Sequence, residues 1–299
     1  MLPSDIIKVR HSLINYNVKN DIIIASISDI HISSCFSYEK LKQIIRAMYI
    51  LKPNYICILG DFIDSPSVID KEYKKCFFLL NELSKICPIY MVLGNHDYIN
   101  YQEENKYKEE YNEDFFNKIN LINNVKLLND EVIYLDDITI MGYTEKYNVY
   151  HNRNLNSFYN DLSTKENLYK IKGNNPKVAL IHSPEPLKYK NNIDLLKDYN
   201  LILSGHYHGG CIPFFLESIW PVKTGGIVTP TKELFPNDVR GIKKITDKTY
   251  LIYNEGYVKI SESTRINYFD KYFYRNIDLT TISSSVEEIE IFTKKLYKK

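Results

Sequence analysis

Short apolar runs recur along this chain, and most of them empty into polar residues. Residues 21–28 (DIIIASIS), 53–59 (PNYICIL) and 88–93 (PIYMVL) are runs of strand length, two of them entered through proline, and each reads as a buried strand. Between them, residues 38–52 place Leu41, Ile44, Ile45, Met48 and Leu51 at helical spacing and stop before Pro53. Residues 68–87 form a second helical stretch, with Phe77, Leu80 and Leu83 in its later turns. Strand and helix alternating in this way is the signature of a parallel sheet carrying helices on its faces.

On either side of this block the pattern loosens. Residues 6–16 look like an opening edge strand, and 101–118 like a charged, tyrosine-rich helix leaning over the sheet edge. Three short β runs at 125–143 (VKLL, EVIYL, ITIMGY) suggest strands of a second sheet; 144–156 read as a loop and 157–171 as a polar helix. Two more buried strands come at 178–181 and 201–204. A β-rich stretch interrupted by glycine and proline runs from 211 to 282. The chain closes on an expected helix at 284–298, with Val286, Ile289, Ile291 and Leu296 packing on the rim. There is no internal repeat, linker or low-complexity block, so residues 1–299 are expected to form one α/β domain.

Composition narrows the partners more than the fold. Lys and Arg number 38 against 37 Asp and Glu, which leaves no basic field to hold a nucleic-acid backbone, while a small phosphate-bearing substrate stays open. Five widely spaced cysteines with no C-x-x-C pair point to reduced thiols. No signal-peptide core is visible and no apolar stretch has membrane-spanning length, so a soluble cytoplasmic protein is expected.

The polar residues that end the apolar runs carry the chemistry. Asp29 and His31 follow the first run, Asp61 and Asp64 the second, and Asn95, His96 and Asp97 the third. His182 follows the run at 178–181, and His206 with His208 the run at 201–204; five of the seven histidines fall in these places. Each has an ordinary explanation alone, as a turn, a cap or a satisfied strand-end histidine. Their joint occurrence does not. Parallel strands deliver their C-terminal ends to one edge. Carboxylates and imidazoles crowded there need cations to balance them. Carboxylate, imidazole and amide oxygen suit Mn²⁺, Fe or Zn²⁺ better than Ca²⁺. Two ions about 3.5–4 Å apart would share a bridging residue, a task suited to a carboxylate. His11 in the opening strand and His151 in a polar loop stand outside this pattern, and Cys211 reads as an inert small residue.

In their order and spacing, Asp29-x-His31, Gly60-Asp61-x-x-Asp64, Gly94-Asn95-His96-Asp97, His182 and Gly205-His206-x-His208 resemble the motif set of the calcineurin-like metallophosphoesterases, over about residues 22–230. The run Gly205-His206-Tyr207-His208-Gly209-Gly210 most resembles a bacterial branch with a GHxHGG motif. The resemblance implies an αββα sandwich: two mixed β-sheets flanked by helices, with a metal site at the C-terminal strand ends. The β-rich part and terminal helix of 231–299 would complete the same domain. It also implies two divalent ions, Mn²⁺ foremost, with Fe or Zn²⁺ as the other candidates. Asp29, His31, Asp61 and His208 would hold one; Asp61, Asn95, His182 and His206 would hold the other, with Asp61 as the bridge. Asp64 and Asp97 would orient these ligands.

The implied activity is hydrolysis of a phosphate ester or pyrophosphate bond by a hydroxide bridging the ions. His96, its pKa raised by Asp97 or Asp29, would protonate the leaving group. The substrate would be a small phosphoester, a nucleotide or a lipid-linked pyrophosphate. A same-fold nuclease and a catalytically silent metal-binding scaffold are the alternatives. Balanced charge counts against the first and the full ligand set against the second. Residues 98–120 and 212–220 (IPFFLESIW) are the expected pocket walls, with Pro213, Phe214, Phe215, Ile219 and Trp220 packing on the core or rim. Thr224-Gly225-Gly226 is expected to shape a turn near the metals.

Overall fold

The computed structural model describes residues 5–100, 108–151, 154–258, 271–286 and 290–297. Strands β1 (Ile6–Asn15), β2 (Ile22–Ile27), β3 (Tyr55–Leu59) and β4 (Ile89–Val92) come first, with helices Tyr38–Leu51 and Ile69–Ser84 separating the last three. Ser37 caps the first helix by accepting from the Lys40 N–H at 3.3 Å, and Lys52 ends it at φ 48° ahead of Pro53. The short pair β5 (Ile99–Asn100) and β6 (Lys108–Glu109) precedes helix Glu113–Asn120, β7 (Val125–Leu127), β8 (Glu131–Tyr134) and β9 (Thr139–Tyr143). Then come β10 (Lys177–Ile181), β11 (Leu201–Ser204), β12 (Gly241–Lys244), β13 (Tyr250–Tyr253), β14 (Arg275–Ser283) and β15 (Glu290–Tyr297).

These strands build a seven-stranded sheet, β15-β1-β14-β2-β3-β4-β7, and a six-stranded sheet, β12-β13-β11-β10-β9-β8. Both are mixed. β2, β3, β4 and β7 run parallel, as do β9, β10, β11 and β13, and antiparallel pairs occur at β14 with β2 and β15 with β1, and at both edges of the smaller sheet.

Side-chain alternation decides the layers. Ile22, Ile24, Cys57, Leu59, Tyr90 and Val92 of the first sheet meet Ile140, Val178, Leu180, Leu201, Leu203 and Ile252 of the second. The alternate residues Ala25, Ile27, Ile56, Ile58, Ile89 and Met91 pack with Leu41, Ile44, Met48, Leu79, Leu80 and Leu83 of the helices. On the far side of the second sheet, Met141, Ala179, Ile181 and Ile202 pack with Phe158 and Leu162. The order is helices, sheet, sheet, helices. Burial on both faces is why these runs are continuously apolar.

Several elements depart from the sequence expectation. β1 is not an edge strand, because β15 pairs with it antiparallel and sets Phe292 opposite His11. β15 occupies the place of the expected closing helix. The spacing of Ile291 and Leu296 loses to the β-prone run around Phe292 and to backbone pairing along the open side of β1; Ile289 lies outside the described residues. Residues 101–107 also lie outside them, and the rest of the expected 101–118 helix is β6 followed by a helix that Asn112 caps through the Phe115 N–H. β7 joins the first sheet beside β4, not the second. The 144–156 loop holds the helical turn Tyr147–Tyr150, with residues 152–153 undescribed. The 157–171 helix is broken at Lys165 into Asn156–Thr164 and Glu166–Tyr169. In the described part of 211–282, strands begin only at Gly241.

Candidate metal centre

The loops leaving β2 and β3 are stitched together through their backbones. The Asp29, His31 and Ile32 N–H groups donate to the Gly60, Asp61 and Phe62 carbonyls at 3.0–3.1 Å. Beyond β10 and β11, the Gly205 N–H donates to the His182 carbonyl at 2.9 Å. The ends of β3 and β4 approach too closely for any side chain: a Cβ at Gly60 (φ 83°) would lie 2.5 Å from the Gly94 nitrogen, and one at Gly94 would lie 2.3 Å from Asp61 Oδ1. Five donor residues have left-handed backbones, Asp29 (φ 52°), His31 (48°), Asp61 (49°), His206 (68°) and His208 (48°). Asp and His tolerate this region better than most residues. Such clustering of strained backbone is a mark of functional sites.

This backbone brings together all seven residues singled out as ligands, and each is at least nine-tenths buried. Asp29, His31 and His208 present ligand atoms within 4.8 Å of one another, and so do Asp61, His182 and His206. Asp61 stands between the groups. Its Oδ1 accepts the His96 N–H at 2.8 Å, while Oδ2 lies 3.7 Å from His31 Nε2 and 3.3 Å from His182 Nε2. Asn95 opens the helical turn Asn95–Tyr98 and lines the same cavity as His206.

The rings are oriented from behind. His182 Nδ1 lies 2.6 Å from the Leu59 carbonyl and His208 Nδ1 lies 2.7 Å from that of Val258. Both nitrogens must therefore carry the proton, which leaves Nε2 as the donor atom toward the carboxylates. His31 Nδ1 faces Asp64 Oδ1 at 3.2 Å, and His96 Nδ1 faces the Asp64 carbonyl at 2.7 Å, so Asp64 orients two rings. Asp97 acts on backbone: its carboxylate accepts the Phe62, Ile63 and Gly94 N–H groups at 2.8–3.0 Å.

Burial works against charge throughout this cluster, and the outcome differs from group to group. Burial lowers the His182 imidazole, but Asp61, then Asp29 and Glu145, lift it to about 10. Burial likewise lowers His31, and the bond to Asp64 with the charges of Asp61 and Asp29 raises it to about 9. His206 falls to about 3, through burial and then the neighbouring His182. Burial and the Asp61 charge raise the Asp97 carboxyl to about 7. His96 shifts down, with burial the largest cause. The expected elevation of His96 by Asp97 or Asp29 is thus not found: burial, with the neighbouring His31, outweighs the raising charges of Asp61 and Asp64.

The donor set fits divalent cations. Asp29 Oδ1, His31 Nε2 and His206 Nε2 are buried and make no hydrogen bond among the described residues. An unsatisfied buried polar group costs about 1–3 kcal/mol, and cations held by the two clusters would remove that cost. A cavity of about 300 Å³ opens beside them, with Asn95, His96 and His206 in its wall.

Sequence reasoning missed Glu145 and Tyr150. Glu145 is 1% exposed; its Oε1 accepts the Ser183 N–H at 2.7 Å and its Oε2 the Tyr150 hydroxyl at 3.0 Å. Neither residue belongs to a motif, and only the fold brings them to His182. Of the two expected walls, 98–120 contributes to the cavity through Ile99 and 212–220 does not. Residues 230–232 line it as well. Phe214 rests on Tyr274 at 6.3 Å between ring centres, but Phe215 (56%) and Ile219 (72%) are exposed instead of packing on the core. A single turn, Phe214–Glu217, has too little apolar face to bury them. Gly226 does buttress the site loop, closing against Gly210 with no room for a Cβ on either. Cys211 follows directly at φ 49°.

His11 lies in β1, with Nε2 2.8 Å from the Thr281 hydroxyl, and His151 stacks on Tyr147 at the cavity wall.

The profile of the calcineurin-like phosphoesterases matches residues 22–210. An uncharacterised metallophosphoesterase of Campylobacter jejuni is 27% identical over 202 residues, 66% of this chain and 47% of that protein. A Bos taurus transmembrane protein with a metallophosphoesterase domain is 26% identical over 206 residues, 64% and 41% of the two chains. The metallophosphoesterase YkoQ of Bacillus subtilis is 26% identical over 253 residues, 81% and 78%. The chain spans under half the length of the first two relatives. With the profile covering most of its length, from the start of β2 to the GHxHGG run, the chain belongs to the calcineurin-like phosphoesterase family.

Proposed function

We propose that this chain is a two-metal hydrolase of small phosphate esters or phosphoanhydrides, folded as one domain. The observation that carries this is the position of Asp61 Oδ2, facing His31 and His182 from between two clusters of buried donors. Asp29, His31, Asp61 and His208 would hold one ion, and Asp61, Asn95, His182 and His206 the other. The mixed donor set suits Mn²⁺ first, then Fe or Zn²⁺. Bound there, divalent cations supply Lewis acidity toward phosphate oxygens and acidify coordinated water. Asn95 contributes an uncharged oxygen, which limits negative charge where an anionic substrate must approach. His96 keeps its Nδ1 proton on the Asp64 carbonyl, so Nε2 is the nitrogen that would pass a proton to the leaving group. Burial lowers its pKa, and an arriving phosphate anion acts in the opposite direction.

The test is a metal analysis of protein purified without added metal, with a panel of mono-, di- and pyrophosphoesters assayed with Mn²⁺, Fe²⁺ and Zn²⁺. Turnover of at least one class with metal bound is expected; no hydrolysis with any of the three ions would sink the proposal. A pH dependence is expected as well. His31 and His182 hold protons up to about pH 9 and 10, so each of the two cations, taking one of these rings, displaces one proton at neutral pH. The apparent affinity for each ion should therefore rise with pH, by up to about tenfold per unit between pH 7 and 9. Chelator competition at several pH values measures this, and a flat profile would contradict the assignment of these two rings.

The wide spacing of the five cysteines, with no C-x-x-C pair, favours a reducing, cytoplasmic setting. No helix among the described residues is long and apolar enough to cross a membrane. The near balance of charge favours a small substrate over a nucleic acid.

A further inference from the structure

Besides Asn95, His96 and His206, the 300 Å³ cavity is walled by Tyr150, Ile99 and Pro230. Tyr150 ends the turn Tyr147–Tyr150, and its ring centre lies 5.5 Å from that of His206 and 6.5 Å from that of Tyr98. Its hydroxyl is already committed to Glu145 Oε2 at 3.0 Å. Glu145 is the knot of a larger arrangement. Its other carboxylate oxygen accepts the Ser183 N–H beside His182, and its carbonyl accepts the Tyr98 hydroxyl, two residues beyond His96, at 2.7 Å. One buried residue therefore fixes Tyr150 relative to two of the segments that carry the proposed metal ligands and the proposed acid. A tyrosine whose hydroxyl is tied away from the cavity offers a substrate its ring and not a donor. Ile99 and Pro230 add apolar surface, and the volume holds a phosphate group with one ring system, well short of a polymer.

We propose that Tyr150 is a specificity-determining residue whose ring stacks on a flat aromatic or heteroaromatic leaving group, making aryl-type phosphoesters the preferred substrate class. This rests on the two-metal phosphoesterase reading above. Glu145 is the positioning residue that holds the ring in place.

The test compares two phosphonates of the same carbon number, phenylphosphonate with a flat ring and cyclohexylphosphonate with a puckered one. Binding to the Mn²⁺-loaded protein is measured by calorimetry. The wild type should bind the phenyl compound about fivefold more tightly, in line with aromatic pair energies. Tyr150→Leu, which keeps bulk and apolar character, should bring the ratio to about one, whereas Tyr150→Phe should keep most of it. Equal binding of the two compounds by the wild type overturns the proposal, and so does an unchanged ratio in the leucine variant. Should that variant not fold, the wild-type ratio decides alone. If the wild type binds neither compound and hydrolyses no 4-nitrophenyl phosphate, the phosphoesterase reading fails and this inference with it. Hydrolysis without a preference between the rings overturns the stacking alone.

Discussion

Asp61→Asn should strip the protein of both cations and lower phosphoester hydrolysis by more than about 10³-fold, while leaving the fold intact. The substitution keeps the shape of the side chain and can keep the acceptor for the His96 N–H, so the turn after β3 retains its anchor. What changes is the atom that faces His31 and His182. A neutral amide there removes the charge that lifts both imidazoles, and it can turn N–H donors toward the two Nε2 atoms that should bind metal. Metal content by mass spectrometry, a thermal melt and a turnover assay together decide the matter. His206→Ala is the companion variant: it touches one cluster, so stoichiometry should drop from two to one as activity is lost. Loss of a single ion in Asp61→Asn would speak against a bridging carboxylate, and near-normal turnover would remove the residue from the mechanism.

His96→Ala should show the opposite division, with metal content kept and rate lost. A general acid is worth about 10²–10⁴-fold, and the whole of that should appear with alkyl esters, whose leaving alkoxide needs a proton. With 4-nitrophenyl esters, whose leaving group departs as a stable anion, the loss should be within about tenfold. The ring is also packed edge-on against His31 at 4.6 Å and bonded through Nδ1 to Asp64, so a structural role has to be separated from proton transfer. The leaving-group dependence does this. Equal losses across leaving groups would assign His96 to support of His31, and the proton would have to come from elsewhere.

Much of this arrangement was legible in the sequence because period and position agreed. The runs ending at Ser28, Leu59, Leu93, Ile181 and Ser204 are strands buried on both faces, three in the first sheet and two in the second, and the residues just past them meet where the two sheets end together, not at the edge of one sheet. The two ends of the chain were harder to read. β15 has a weak apolar pattern, and its place is set by the open side of β1, a partner about 280 to 290 residues away in sequence that no local window contains. Glu145 and Tyr150 escaped for a related reason: they come to His182 only through the fold, Glu145 by its charge and its bond to the Ser183 N–H, and Tyr150 by its ring. The exposed Phe215 and Ile219 show the limit of hydrophobicity as a guide, since an apolar run buries itself only if its element has a face to offer.

The left-handed backbone at Asp29, His31, Asp61, His206 and His208 has a consequence for how this protein can change. Each such conformation costs about 1–2 kcal/mol for a residue with a side chain, against a net stability of about 5–15 kcal/mol for a whole domain. Glycine at any of these places would relieve the chain and delete a donor. Heat resistance and chemistry are therefore opposed at the same five codons. Selection for thermal endurance alone will erode the centre before it touches the core, and selection with the cation supplied will preserve it.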